Sequence, residues 1–512
     1  MRDNSLYDYI FVRFWIIVLS SIAPLSVSYC ACVLVGVLDS YRLPYILEGW
    51  ALAEMAFYFL LLTFRVCYLQ SPAIHPPLPS RQKRLELFTL CEKTILDPER
   101  YIRKWFMDTP IKDIHSENVK DFLRWAFLNN AKPEAMYDDE LDEYVKILER
   151  RLNWKFSPGR AENVKCLRLT VDKVNTLHRS LLWYMCIIVV DNVTFFSMLL
   201  HGFQFYHSSP MRCLAVFPPR PQTLISAHRS TVKNLTYYYR PHTARDKLPL
   251  LLIHGIGVGL YPYINFLAEL NQRRRGTEGD IGIIALEILQ VSSRITEPLL
   301  TKEEIRHQVQ AILRHHGFKK VVLLTHSYGS VLATHLLHDP AVSNRIGSVI
   351  LVDPITIQLH HPDVAYNFTF RKPKSANEWL LWYFGSMDMG VAYTLARRFF
   401  WSENVLWRKD FGDRHITIFL AENDAIVDTD QVRRYLLEAE TGRETAGDLD
   451  GKPGLNDRKM GRRPSTVIWC KNIHHGHVFD SKTWRKRLIN EVLLQSVQPY
   501  HNHVSRSANG TM

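Results

Sequence analysis

Cysteine is scarce in this chain, and its spacing predicts neither a disulfide framework nor a metal site. Eight cysteines are spread over 512 residues, and four of them lie inside apolar segments: Cys30, Cys32, Cys67 and Cys186. A disulfide framework or a zinc site would need cysteine or histidine ligands at characteristic spacings, and the sequence has none. We therefore expect free structural thiols and no metal site.

The chain also lacks the signatures of nucleic-acid-binding proteins, although it is basic. Its formal net charge is +12, but the basic residues are scattered, with only short runs at 81–84, 273–275 and 462–463. No zinc-finger spacing or RNA-binding motif accompanies these runs. We predict no nucleic-acid partner, because attraction to an anionic membrane surface explains the charge better.

What the sequence does contain is long apolar segments near its beginning. Residues 14–38 form an apolar run longer than the ~20 residues that cross a bilayer core. The run is too long for a signal peptide and has no obvious cleavage site, so we expect it to be retained. A second apolar run covers residues 43–69, which predicts a transmembrane hairpin within residues 1–70. Basic residues flank both ends, which predicts that both are cytoplasmic; the alternative is a pair of buried helices in a soluble domain.

Residues 71–210 are predicted to form a helical region. Phe122, Trp125 and Leu128 recur at helical spacing, and we expect them to be core residues without a chemical role. A third apolar stretch, 181–205, is long enough to span a membrane but contains Asp191. Because a charge at mid-depth is costly, this stretch could equally lie in the membrane interface or under the following domain. If it spans, the sequons at Asn234 and Asn367 would be lumenal and open to glycosylation.

Between residues 211 and 500, short apolar runs alternate with helical ones, which predicts a mostly parallel sheet covered by helices on both faces. The predicted strands are 235–240, 248–253, 281–286, 321–324, 346–352, 415–420 and 466–470; the predicted helices include 263–273, 302–315 and 481–494.

Three further segments of this region and beyond it have characteristic compositions. Residues 360–411 interrupt the alternation and are dense in aromatic residues. They predict either helices packed on the domain or, as we favour, a lid that covers a hydrophobic acyl substrate or faces the bilayer. Residues 441–463 are predicted to be a flexible loop and residues 501–512 a disordered tail.

The pentapeptide Thr325-His326-Ser327-Tyr328-Gly329 lies where a predicted strand turns at once into a helical pattern. Small residues at such a turn let backbone pass close to backbone, and the residue at its apex is strained with its side chain outward. This is the mechanical basis of the nucleophile elbow G-x-S-x-G. It would place the Ser327 hydroxyl at a helix N-terminus. Thr325 replaces the first glycine, which is a departure from the pattern.

A glycine-rich turn, His254-Gly255-Ile256-Gly257-Val258-Gly259, follows another predicted strand. A phosphate-binding loop is the alternative interpretation, but the third glycine of G-x-G-x-x-G and a Walker lysine are both missing. The turn better suits an oxyanion hole, with backbone donors from Ile256 and Tyr328.

An acid and a histidine after the last two predicted strands could complete a catalytic relay. Asp424 is the favoured acid, with Glu422 and Asp428 as competitors. Of the histidines at 474, 475 and 477, His475 is favoured as the base because its loop position suits the role and Gly-x-apolar-Phe follows it; His477 is the rival. Three histidines also suggest a metal site, but no other ligand pattern supports one.

These motifs, in the order nucleophile, acid, histidine over alternating strands and helices, resemble the α/β-hydrolase family. HG-x-G, S-x-G, END-x-IV and HG-x-VF stand where that family would have them, and the resemblance covers roughly residues 235–494. In detail the chain is similar to membrane-anchored, largely uncharacterised serine hydrolases of fungi and other eukaryotes, with their LVDP strand end before the lid. The resemblance implies Ser327 as nucleophile, His475 as general base and then acid, and Asp424 holding the imidazole.

The predicted function is a membrane-associated, lipase-like serine hydrolase that cleaves carboxylic esters through an acyl-enzyme, a reaction for which we expect no cofactor. Its expected partners are a lipid or hydrophobic ester substrate and a membrane, for which the endoplasmic reticulum is one candidate. The alternative is a catalytically silent hydrolase fold that acts as a lipid-binding or scaffolding membrane protein. The sequence carries no signal for the oligomeric state.

Overall fold

The computed structural model describes residues 5–38, 41–129, 134–272, 279–438 and 465–497. The loop predicted at 441–463 and the tail predicted at 501–512 lie outside these residues. The strands are β1 (Gln204–Tyr206), β2 (Thr236–Arg240), β3 (Leu250–Ile253), β4 (Ile283–Glu287), β5 (Val321–His326), β6 (Ile346–Val352), β7 (His415–Ala421) and β8 (Thr466–Cys470).

Helices precede the sheet, connect most of its strands and follow the last one. In chain order they are α1 (Leu6–Leu34), α2 (Tyr45–Cys67), α3 (Arg81–Lys93), α4 (Pro98–Trp105), α5 (Ser116–Leu128), α6 (Asp138–Leu152), α7 (Leu181–Leu200), α8 (Gln222–Ile225), α9 (Ile264–Gln272), α10 (Lys302–His315), α11 (Gly329–Leu337), α12 (Pro340–Ser343), α13 (Pro362–Ala365), α14 (Ala376–Leu380), α15 (Met389–Arg397), α16 (Trp401–Asn404), α17 (Thr429–Glu438) and α18 (Lys482–Gln495).

All eight strands form one sheet in the order β1-β2-β4-β3-β5-β6-β7-β8. β1 and β2 pair antiparallel with their neighbours, and the adjacent strands β4-β3-β5-β6-β7-β8 are parallel to one another. The mostly parallel sheet is therefore as predicted. One difference is that β1 lies before residue 211, where the sheet region was expected to begin. A strand of three residues at a sheet edge is too short to produce a recognisable alternation.

Successive side chains of a strand point to opposite faces of the sheet. Both faces are apolar here, and helices cover both. On one face, Leu251, Leu323 and Ile418 share a core with α10, α11 and α17. On the other face, Leu252, Leu324 and Phe419 share a core with α9 and α18. Burial on both faces explains why these strands are continuous apolar runs.

The helices α3 to α6 enclose a separate hydrophobic core. Its members include Phe122, Trp125 and Leu128, each at most 5% exposed. The helical apolar face predicted from their spacing is therefore present, and it is buried.

Among the described residues, three helices are long and apolar enough to cross a membrane: α1, α2 and α7. Helix α7 differs from an isolated span because its inner face packs on the sheet region. Its one charged residue, Asp191, faces inward and is ion-paired with Arg220 and Arg294. The exposed residues of α7 are all apolar: Leu182, Met185, Cys186, Val189, Val193, Phe196, Leu199 and Leu200.

The segment between β6 and β7 lies where a lid was predicted. It contains α13 to α16 and two π-helical segments, Tyr366–Phe370 and Leu381–Ser386. One side of it packs against α1 through Trp379, Trp382 and Tyr383, and the Arg13 guanidinium lies 3.8 Å from the centre of the Trp379 ring. The most apolar N-terminal helix is thus in direct contact with the segment between β6 and β7.

Candidate active site

Ser327 lies at the turn between β5 and α11 with a left-handed φ of 49°, a strained conformation for a serine. The turn is possible because two glycines let segments of the backbone approach each other closely. A Cβ on Gly329 would lie 2.5 Å from the Ile253 carbonyl oxygen, and a Cβ on Gly255 would lie 2.9 Å from Cβ of Ser327. Thr325, which replaces the usual first glycine, is the fully buried penultimate residue of β5 and needs no special backbone conformation there.

The structure brings together the three side chains predicted for the relay. The Ser327 hydroxyl is hydrogen-bonded to Nε2 of His475 at 2.7 Å, and Nδ1 of His475 is 2.7 Å from the Asp424 carboxylate. The other carboxylate oxygen of Asp424 accepts the amides of Ile426 and Val427. These bonds fix the acid, which in turn orients the imidazole.

The competing residues are engaged elsewhere. Glu422 accepts the Asn472 amide at 2.8 Å, and Asp428 is ion-paired with Arg100 at 2.9 Å. The His477 ring lies beside the His474 ring, with 5.5 Å between their centres, and burial lowers the pKa of His477 to about 4. Of the histidines at 474, 475 and 477, it is His475 that contacts Ser327.

A second buried carboxylate, Asp353, lies beside the relay and was not predicted to take part in it. It follows β6, has a φ of 44°, and accepts the amides of Ala421 and Gly476, each at 2.8 Å. Asp353 therefore joins the end of β7 to the loop that carries His475. The sequence showed an Asp-Pro after a strand, but the two amides come from distant parts of the chain.

The carboxylates of Asp424 and Asp353 shift the pKa values of the groups in the site. Burial alone would lower the pKa of His475, but the charge and hydrogen bond of Asp424 and the charge of Asp353 outweigh it and raise that pKa to about 9. Burial raises the pKa of Asp353 to about 6, with a further contribution from the charge of Asp424. The site thus stabilises an imidazolium, which is the state that follows proton transfer from a serine.

Ligand-type atoms of Asp353, Asp424 and His475 lie within 4.8 Å of one another, as in a metal cluster. Protein groups already occupy them, however, because Asp353 accepts two amides while Asp424 and His475 bond each other. We interpret the cluster as a hydrogen-bonded relay.

The glycine-rich turn after β3 is fixed on both sides of Ile256. The Gly255 amide donates to the Tyr263 hydroxyl at 3.1 Å, and the Gly257 amide donates to the Val291 carbonyl at 3.0 Å. The Tyr263 hydroxyl also shares a 2.6 Å hydrogen bond with Nδ1 of His326. The turn therefore lies against the elbow, and Ile256 and Tyr328 stay our predicted oxyanion donors.

Replacing Tyr263 with phenylalanine is expected to lower the free energy of unfolding by about 1–3 kcal/mol, because the buried Gly255 amide loses its acceptor. We also expect roughly a tenfold loss of kcat, since the turn that carries Ile256 would then be fixed on one side only, by the Gly257 amide. Chemical denaturation and ester kinetics measure the two effects. Tyr261→Phe is the matched control, because Tyr261 is 46% exposed. Equal behaviour of the two variants would contradict this role of Tyr263.

A cavity of about 210 Å³ opens beside Ser327 and His475. Its walls come from the turn after β3, from the lid and from the helical region before the sheet. Apart from the relay and His326 they are almost entirely apolar: Trp105, Trp125, Leu169, Ile256, Gly257, Ile355, Leu359, Val364, Ala365, Phe368, Thr369, Leu380, Leu381, Phe384, Gly385, Leu395, Phe399, Trp401 and Ile426. Trp125 was expected to be core without a chemical role, and it both belongs to a core and lines the cavity.

Comparisons with known proteins agree with this architecture. Residues 249–388 match the family model described as alpha/beta hydrolase fold, and with the sheet above, the chain has the α/β-hydrolase fold that the sequence predicted. No curated protein matches the chain.

Several solved structures are similar to parts of this chain. A carboxylesterase of Nitrososphaera gargenis is 13% identical, covering 52% of this chain and 97% of its own, with a TM-score of 0.33. A bacterial membrane phospholipase A is 12% identical, with coverages of 61% and 94% and a TM-score of 0.36. Naproxen esterase of Bacillus subtilis is 14% identical, with coverages of 51% and 88% and a TM-score of 0.32.

Proposed function

We propose that this protein is a membrane-associated serine hydrolase that cleaves carboxylic esters through an acyl-enzyme. The observation that supports this most is the unbroken hydrogen-bonded series from Ser327 through His475 to Asp424, with both contacts at 2.7 Å. Such a series activates a serine hydroxyl as a nucleophile. It borders a cavity that can hold the substrate.

In the proposed reaction, His475 takes the Ser327 proton while the serine oxygen attacks the ester carbonyl. The amides of Ile256 and Tyr328 stabilise the resulting oxyanion. The carbonyl then re-forms, the bond to the alcohol breaks, and His475 gives its proton to the leaving alcohol. Water attacks the acyl-enzyme by the same route, with His475 first accepting and then returning the proton, which releases the acid and restores Ser327.

We assign a hydrophobic, lipid-like substrate because the cavity walls are apolar and because α1 contacts the lid. In this proposal residues 1–70 anchor the chain in a membrane as a hairpin, residues 71–210 form a helical region, and residues 211–500 form the hydrolase domain with the lid at 360–411. The strand β1, at the end of the helical region, joins the sheet of the hydrolase domain. Helix α7 lies on that domain with its apolar outer face towards lipid.

The test of the proposal is labelling of the detergent-solubilised full chain with a fluorophosphonate probe. We expect covalent labelling of the wild type and none of Ser327→Ala, because the probe reacts with an activated serine. Ser402→Ala, in the lid helix α16, is the matched control and should label like the wild type. Equal labelling of wild type and Ser327→Ala would remove Ser327 as nucleophile, and no labelling of the wild type would favour the catalytically silent alternative.

A further inference from the structure

The cavity beside Ser327 is not built by the hydrolase domain alone. Trp105 at the end of α4, Trp125 in α5 and Leu169 contribute to its wall, although all three precede the sheet in the chain. The helical region thus reaches the place where the substrate is expected to lie, in addition to linking the apolar N-terminal helices to the sheet.

We propose that Trp105 and Trp125 form the wall that limits the length of the acyl chain bound in this cavity. The substrate class is then a fatty-acid ester, whose hydrocarbon chain extends from Ser327 towards the two indoles. This inference rests on the proposed function and deepens it, because it assigns acyl-chain selectivity to a region outside the hydrolase domain.

The two indoles form a firm surface because a packed core supports them. Their ring centres are 5.4 Å apart, and the Trp105 ring is 5.2 Å from the Phe122 ring. Trp105 and Trp125 are 4% and 5% exposed, and the Trp125 indole donates to the Thr170 hydroxyl at 2.9 Å. Densely packed aromatic groups yield little to a longer ligand, so they set a steric limit.

The wall is also tied to the lid and to the relay. Asp363, in the lid helix α13, is ion-paired with Lys104 at 2.8 Å and with Arg100 at 3.0 Å. Arg100 also pairs with Asp428, just after Asp424, and the indole of Trp401 in the lid donates to the Ala126 carbonyl at 2.9 Å. The helical region is therefore fixed relative to Ser327, as a length-limiting wall requires.

The chemistry of the cavity points to hydrocarbon as its ligand. Apart from the relay, His326 and the indoles, the part of the cavity wall that the structure describes has one polar side chain, that of Thr369. The Thr369 hydroxyl donates to the Ala365 carbonyl at 2.7 Å. Away from the relay, a charged or hydrogen-bonding group of a ligand would lose its water and find few partners, because among the described lining residues only Trp105 and His326 keep an unpaired buried side-chain nitrogen. A fatty acyl chain needs no such partner.

The test compares rates on p-nitrophenyl esters from butyrate to palmitate for the full-length protein. Trp125→Leu is expected to move the optimum to acyl chains about two to four carbons longer. Leu169→Trp, which fills space at the same wall, should move it to shorter chains. Trp154→Leu is the matched control, because Trp154 lies in the same helical region, is 42% exposed and does not line the cavity. Active variants with the wild-type optimum would overturn the proposal.

A second measurement does not depend on turnover. In the Ser327→Ala background, saturated fatty acids of increasing length displace a fluorescent fatty acid, and Trp125→Leu should shift the tightest-binding length upwards. If the wild type hydrolyses no ester but this shift occurs, the proposed function fails while the wall stands. If esters are hydrolysed and neither optimum moves, the wall fails while the hydrolase stands.

Discussion

Replacing His475 with alanine is expected to lower kcat on a p-nitrophenyl ester by about 10⁵- to 10⁶-fold, if His475 has the proposed role of the base in a serine hydrolase. His475 alone links Ser327 to Asp424 in the described part of the chain. Without it, the serine keeps its proton at neutral pH, and the leaving alcohol has no proton donor. Substrate binding in the apolar cavity should change little, so the loss should lie in kcat and not in KM.

The matched control is His477→Ala, two residues further along the same loop. Because the His477 ring faces His474, we expect its kcat to stay within about threefold of the wild type. Circular dichroism and melting temperature check that both variants are folded. A large loss in His477→Ala together with an active His475→Ala would reverse the assignment, and equal losses in both would indicate a structural role of the loop.

This pair of histidines shows what the sequence can and cannot predict. The motif HG-x-VF indicated the loop, but the choice between positions 475 and 477 depends on the path of the backbone. Gly476 adopts a left-handed φ of 79°, and its amide is held by Asp353 from the far end of β6. Local periodicity contains no information about such a contact between distant segments.

The elbow was easier to predict because its determinants are local. An apolar strand pattern, the sequence Ser-x-Gly and the helical pattern after it together indicate a tight strand-to-helix turn, and the strained φ of Ser327 agrees with it. The cavity wall formed by Trp105 and Trp125 was not predictable in this way. Helical spacing shows which face of α5 is apolar, but the same apolar face can contact a core, a cavity or both.

Asp424→Asn is expected to lower kcat by about 10⁴-fold, because an amide cannot stabilise the imidazolium and favours the wrong tautomer of His475. It should also change the pH dependence. The base must be neutral to act, so activity rises as the pH increases through the pKa of His475, which the two carboxylates raise to about 9. Removal of the Asp424 charge lowers that pKa, so the rising limb of the kcat/KM profile should move to lower pH.

The substitution Asp353→Asn removes a negative charge near His475 without removing a residue of the predicted relay. Asp353 also raises the pKa of His475 but does not contact the imidazole; it holds the Gly476 amide instead. We therefore expect the rising limb to move to lower pH by less than in Asp424→Asn, with a loss of plateau activity of about tenfold. A profile that keeps its wild-type midpoint in both variants would show that neither carboxylate controls the protonation of His475. A loss in Asp353→Asn as large as that in Asp424→Asn would instead mean that Asp353 is the acid that orients the base.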